Sequence, residues 1–235
     1  MFHPLRRSSR SGSSAQGFSR GLGMIAIVLG LGFGAAPFAN AKRAPERSAY
    51  ESAIDMAQGS TRAKAVLIEY ASITCPHCRA FYRDLYPELA KKYIKTGKLR
   101  FVFREFPTPP TEIAIAGFII ARCSGPQNYF AVIGSMFDAQ DAVFASLQEQ
   151  KSVREIYFGI GERDGKLTKT QITDCLKDPA QLKTVEDIVT QGQDKNQVRG
   201  TPTLILNGKT LEGAKYGTKE GLFRAIDLAI AQKEF

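Results

Sequence analysis

Cys75-Pro76-His77-Cys78 is the segment best equipped for chemistry, because two thiols three residues apart can close a disulfide and reopen it. Pro76 suits a first helical position, where no N–H is needed, and that makes Cys75 the N-cap. A sulfur at an N-cap faces the free N–H groups and the positive end of the helix dipole, which stabilises its thiolate over its thiol. Cys78 lies one turn further along the same face. The reading is a nucleophile, Cys75, with its resolving partner, Cys78, as a redox-active pair. His77 sits between them, where its N–H or positive charge can stabilise the Cys75 thiolate, favour the dithiol and make the disulfide a stronger oxidant. Exposure without effect is the plainer alternative for His77.

The elements around this tetrad fit that chemistry. Val66-Leu67-Ile68-Glu69-Tyr70 reads as part of a buried strand over 65–71. Tyr82, Leu85, Tyr86, Leu89 and Tyr93 recur at intervals of three and four, which predicts a helix over 76–95. Pro87 interrupts it and implies a kink, since a proline inside a helix costs about 3 kcal/mol unless packing accommodates it. Glu69 is anomalous in an apolar strand six residues before Cys75. It is either a strand-end residue facing water or a partly buried carboxylate of raised pKa that relays a proton to or from Cys78.

A second strand is expected at 99–106, closed by Pro107, Pro109 and Pro110. Helical patterns then run from Ile113 to Cys123, Gln127 to Phe137, Ser146 to Ile160, Lys169 to Leu176 and Gln181 to Gln193. Strand character returns at 203–206, Asn207-Gly208 is a hairpin turn, and 210–212 is the return strand. An amphipathic helix closes the chain over Glu220–Gln232, and a short amphipathic piece lies at Tyr50–Met56. Strand, helix, strand, helical block, hairpin and helix is the order of an α/β thioredoxin fold with an inserted all-helical domain. The predicted limits are 42–108 and 198–235 for the two parts of the thioredoxin-like domain and 109–197 for the insertion.

Residues 1–41 contain no Asp or Glu and four arginines (Arg6, Arg7, Arg10, Arg20), then an apolar, Gly-rich run from Leu22 to Phe38 ending in Ala39-Asn40-Ala41. That is the pattern of a signal peptide cleaved after Ala41. An uncleaved anchor is the alternative, but the run is shorter than the ~20 residues of a spanning helix. Without this segment 28 basic residues stand against 23 acidic ones, too mild and too dispersed an excess to argue for nucleic acid. His77 is then the sole histidine, which excludes Ser-His-Asp catalysis built on another histidine and multi-histidine zinc sites.

An exported chain lives where disulfides persist. Of three possible pairings, Cys75–Cys78 leaves Cys123–Cys175, a structural bridge worth about 4 kcal/mol in the chain-entropy treatment. Two free buried cysteines, or a regulatory pair, are the alternatives. A four-cysteine zinc site lacks a second Cys-x-x-Cys, so no metal is expected.

Residues 69–78 together with Phe103-Arg104-Glu105-Phe106-Pro107, Gly200-Thr201-Pro202-Thr203, Asn207-Gly208 and Glu212-Gly213-Ala214 resemble the DsbA-like branch of the thioredoxin superfamily, the exported thiol-disulfide oxidoreductases of Gram-negative bacteria. Cys123 and Cys175 look like the extra cysteine pair of some members, particularly alphaproteobacterial ones. The resemblance implies periplasmic introduction of disulfides into unfolded exported proteins with free thiols. It also implies reoxidation by a quinone-linked, DsbB-type membrane oxidase, and no cofactor of the protein's own. It implies a cis Pro202 lying against the active-site disulfide, with Pro76, Thr201 and Pro202 meeting substrate; a trans proline opening a strand is the plainer reading. Thr201 differs from the valine of the best-known oxidase and looks like that of isomerase members, so an isomerase or reductase is the first alternative. A non-redox chaperone is the second. No dimerisation domain precedes the first strand, which favours a monomer.

Overall fold

The computed structural model describes residues 48–235; the expected signal peptide lies outside them. Five strands form one mixed sheet in the order β1-β3-β2-β4-β5. They are β1 (Met56–Gln58), β2 (Ala65–Ala71), β3 (Leu99–Glu105), β4 (Thr203–Leu206) and β5 (Lys209–Thr210). β2 and β3 are parallel, and the other pairs are antiparallel. β2 is buried along its whole length because both faces are covered. One face carries Leu67, Phe101, Phe103 and Leu206 into the main core; the other packs Val66, Ile68, Val102 and Ile205 with Ile188.

Between β2 and β3 the chain runs through α1 (Pro76–Ala80), a π-type turn Phe81–Leu85, α2 (Tyr86–Leu89) and a second π-type turn Ala90–Ile94. The first π turn answers Pro87. The Tyr86 N–H reaches back five residues to the Phe81 carbonyl, and Pro87 enters a fresh helical segment near its start, where its missing N–H costs little.

Six helices lie between β3 and β4 in the chain: α3 (Thr111–Cys123), α4 (Tyr129–Asp138), α5 (Gln140–Gln148), α6 (Arg154–Arg163), α7 (Lys169–Lys177) and α8 (Pro179–Asn196). The single helix expected over Ser146–Ile160 is two helices, α5 and α6. Gln150, at a φ of 55°, is left-handed and breaks the helical run between them. Thr168 caps α7 in a capping box with Gln171. Cys123 on α3 is bonded to Cys175 on α7. Helix α9 (Lys219–Ile230) closes the fold. Asn207 and Gly208 both take positive φ in the β4–β5 turn, 46° and 80°, the conformation an Asn-Gly hairpin requires. The return strand is only two residues, 209–210, rather than 210–212.

The sequence pattern missed β1. The amphipathic piece at 50–56 is a loop leading into β1, and residues 50–58 run along β3, held by a part-buried ion pair, Glu51–Arg100, and a buried one, Asp55–Arg104. Arg104 donates twice to Asp55 and also to the Tyr70 hydroxyl and the Tyr50 carbonyl.

Candidate functional site

Cys75 is the N-cap of α1, with extended backbone (φ −87°, ψ 120°), and Pro76 is the first helical residue. The backbone N–H of Cys78 donates to the Cys75 sulfur at 3.4 Å. Both cysteines are free thiols, yet their surroundings differ. Cys75 is 8% exposed and Cys78 wholly buried. The Cys75 thiol is pushed down to about 5, chiefly by the hydrogen bond from the Cys78 side chain, against the opposing effect of burial. The Thr201 side chain and the backbone N–H groups of Cys78 and His77 lower it further. Cys78 is pushed far the other way, first by burial, then by its role as donor to Cys75 and by the negative charge Glu69 carries when ionised. One thiol is a ready thiolate and the other keeps its proton.

Glu69 lies in the middle of β2, opposite Phe103 on β3 and Leu204 on β4. At 3% exposed it does not face water. Its Oε1 has no hydrogen-bond partner among the described residues. Burial, and then the charge at Cys75, raise its pKa well above the usual carboxylate range. Both causes favour its protonated form.

Across the dithiol, the Thr201–Pro202 bond is cis, and the Cys75 sulfur, in its thiol form, donates to the Thr201 carbonyl at 3.5 Å. The His77 side chain is exposed. Together with Phe81, Leu85, Pro202, Leu204 and Tyr216 it lines a cleft of about 500 Å³ beside the thiols. The structure therefore gathers Cys75, Cys78, His77, Glu69, Pro76, Thr201 and Pro202 around one point, whereas the Cys123–Cys175 bond joins α3 to α7.

The turn leading into Cys75 is fixed by hydroxyls. Ser72 and Thr74 bond each other at 2.8 Å, Thr74 donates to the Thr108 carbonyl at 2.8 Å, and the Thr108 N–H donates to Ser72 at 3.1 Å. Sequence reasoning missed these residues and also Gln140, which reaches the turn from α5. Ser72 and Thr74 flank the tetrad and could have been found by proximity; nothing near Gln140 in the sequence marks it.

The thioredoxin family model matches residues 51–227. A Rickettsia conorii protein, named by inference as a protein-disulfide oxidoreductase, is 30% identical over 183 residues, 77% of this chain. The chain spans 62% of that relative's length. Disulfide bond formation protein D of Bacillus subtilis is 24% identical over 66% of this chain and 68% of its own length. Among solved structures, Wolbachia pipientis alpha-DsbA1 superposes with a TM-score of 0.64 at 21% identity, covering 77% of this chain and 94% of its own. The fold is that of thioredoxin with a helical insertion.

Proposed function

The chain belongs to the thioredoxin family, and on that premise we propose that it is an exported, DsbA-type thiol-disulfide oxidoreductase that introduces disulfides into other proteins. The opposed acidities of Cys75 and Cys78 carry this reading. In the oxidised protein, a substrate thiolate attacks the Cys75 sulfur, a mixed disulfide forms and the Cys75–Cys78 bond breaks. Cys78 leaves and needs a proton, which neutral Glu69 holds behind it. A second substrate thiolate then attacks the substrate sulfur of the mixed disulfide. The substrate disulfide forms, and Cys75 leaves as a stable thiolate, since a low-pKa thiol leaves faster. The two electrons end on the enzyme dithiol, and a quinone-linked membrane oxidase of the DsbB type removes them. Substrates are unfolded exported proteins with free thiols, met in the periplasm across Thr201, Pro202 and the neighbouring cleft. His77 borders the cleft beside the attacked sulfur, and Cys123–Cys175 serves as the structural bridge.

Alkylation against pH tests this reading. With Cys75 ionising near about 5, roughly nine-tenths is thiolate at pH 6, whereas a cysteine near about 8.5 is under ~1% ionised there. Cys75 should therefore react with iodoacetamide at pH 6 far faster than a model thiol, and an ordinary rate would refute the reading. Stability follows by linkage. A depressed pKa adds stability to the reduced form that is complete above the unfolded value and lost as pH falls through about 5. The Tm of the reduced protein should gain on that of the oxidised protein between those limits.

Glu69→Gln keeps the shape and removes the acid. It is expected to slow release of Cys78 in stopped-flow exchange by about tenfold, less than the ~100-fold of a directly positioned acid, with Tm unchanged or higher. An unchanged rate would mean that water supplies the proton.

An isomerase or reductase is the second reading, favoured by a threonine rather than a valine at Thr201. It differs in redox poise rather than in site chemistry.

A further inference from the structure

Gln140 opens helix α5 of the helical block, 65 residues beyond Cys75 in sequence, and is 3% exposed. Its side-chain nitrogen donates to the Ile73 carbonyl at 2.8 Å and to the Cys75 carbonyl at 3.2 Å. Two carbonyls in one buried corner need two donor protons, and an amide nitrogen carries two, so the orientation of the amide follows from its partners. Among the described residues the Ile73 carbonyl has no other donor. The Cys75 carbonyl also accepts the Arg79 N–H at 3.1 Å, the first helical bond of α1. The next residue, Asp141, grips the Arg79 side chain with both carboxylate oxygens. Gln140 and Asp141 thus hold the start of α1 from two sides, one buried and one exposed.

We propose that Gln140 is a positioning residue for the dithiol: by bonding the carbonyls on either side of Thr74 it fixes the extended N-cap conformation from which the Cys75 sulfur meets the N–H groups of α1. The N–H groups of His77 and Cys78 are rigid parts of the helix, whereas the sulfur hangs from the N-cap residue. Their approach is therefore set by the Cys75 backbone, and the hydroxyl network of Ser72, Thr74 and Thr108 holds only its upstream end. The helical block in this way supplies a residue that governs reactivity at the thioredoxin-like site.

This inference rests on Cys75 being the reactive thiolate, and its test separates the two. The thiolate absorbance near 240 nm is titrated in the reduced protein for the wild type, Gln140→Met and Asp141→Asn. The titratable groups facing Cys75, namely Cys78 and His77 on α1 and Glu69 on β2, are the same in all three. Gln140→Met keeps the length of the side chain and removes both donors. It is expected to raise the midpoint of Cys75 by about half a unit or more, so that the thiolate fraction at pH 4, below both midpoints, falls about threefold or more and alkylation there slows with it, whereas Asp141→Asn, which removes an anion and leaves the Arg79 cation unpaired, should not raise it. A folded Gln140→Met protein that melts lower but titrates like the wild type would overturn the proposal, leaving Gln140 a purely structural donor. Should Gln140→Met not fold, Gln140→Asn, whose amide is one methylene short of the carbonyls, is read by the same criterion. An ordinary midpoint in the wild type would overturn the oxidoreductase reading instead.

Discussion

Cys78→Ser should stall at a mixed disulfide. The reduced variant keeps the Cys75 thiolate, which attacks a substrate disulfide and becomes bonded to one substrate sulfur. No second enzyme thiolate then stands within reach to displace the substrate, because the remaining cysteines, Cys123 and Cys175, are bonded to each other. Turnover is expected to fall to background while a covalent adduct accumulates, visible on non-reducing gels and by mass spectrometry. Cys75→Ser should give neither turnover nor adduct, since buried Cys78 keeps its proton. A Cys78→Ser protein that turned over at the wild-type rate would show that Cys78 does not resolve the intermediate, and the assignment of roles within the tetrad would fail.

The second large effect lies in the fold, at Asp55. Its carboxylate and the Arg104 guanidinium are both almost wholly buried and meet through two hydrogen bonds, at 2.9 and 2.8 Å. Arg104 is also bound to Tyr70, and Tyr70 to Asn196 of α8 at 2.8 Å. The pair therefore ties together residues 50–55, the sheet and the last helix of the block. Asp55→Ala leaves a guanidinium, which cannot discharge itself, unpaired in the interior, a change that costs about 3–5 kcal/mol. Urea unfolding should show that loss. Adding Arg104→Met removes the stranded charge and should restore part of it. A single-variant loss under about 1 kcal/mol would mean that water reaches Arg104 and the pair is effectively a surface one.

The parts of this molecule that could be read in its sequence are those where local rules coincide. Proline after Cys75 fixed the N-cap, the apolar run 65–71 fixed a central strand, and Asn207-Gly208 fixed the hairpin. Glu69 was visible as an acid among apolar residues, although only the packing of helices over β2 decides that it is buried. Strand β1 was hidden because an edge strand of three residues at 56–58 has no period long enough to read. Arg100 and Arg104 look like the polar side of an alternating strand; their burial depends on residues 50–55 crossing over them, a long-range event. Gln140 was invisible for the same reason. A glutamine at a helix start carries no local signal, and its role appears only when α5 is folded against the turn before Cys75.

The most direct test of the central claim is the equilibrium reduction potential of Cys75–Cys78 in glutathione buffers, using the chain from residue 42 onward. Alkylation and mass spectrometry are the proper readout, because the chain has no tryptophan to report the change by fluorescence. A thiolate held at about 5 stabilises the dithiol and makes the disulfide oxidising. The account predicts a midpoint near about −120 mV, the range of strongly oxidising dithiol proteins. A midpoint at or below about −200 mV would contradict it and assign the site to isomerisation or reduction.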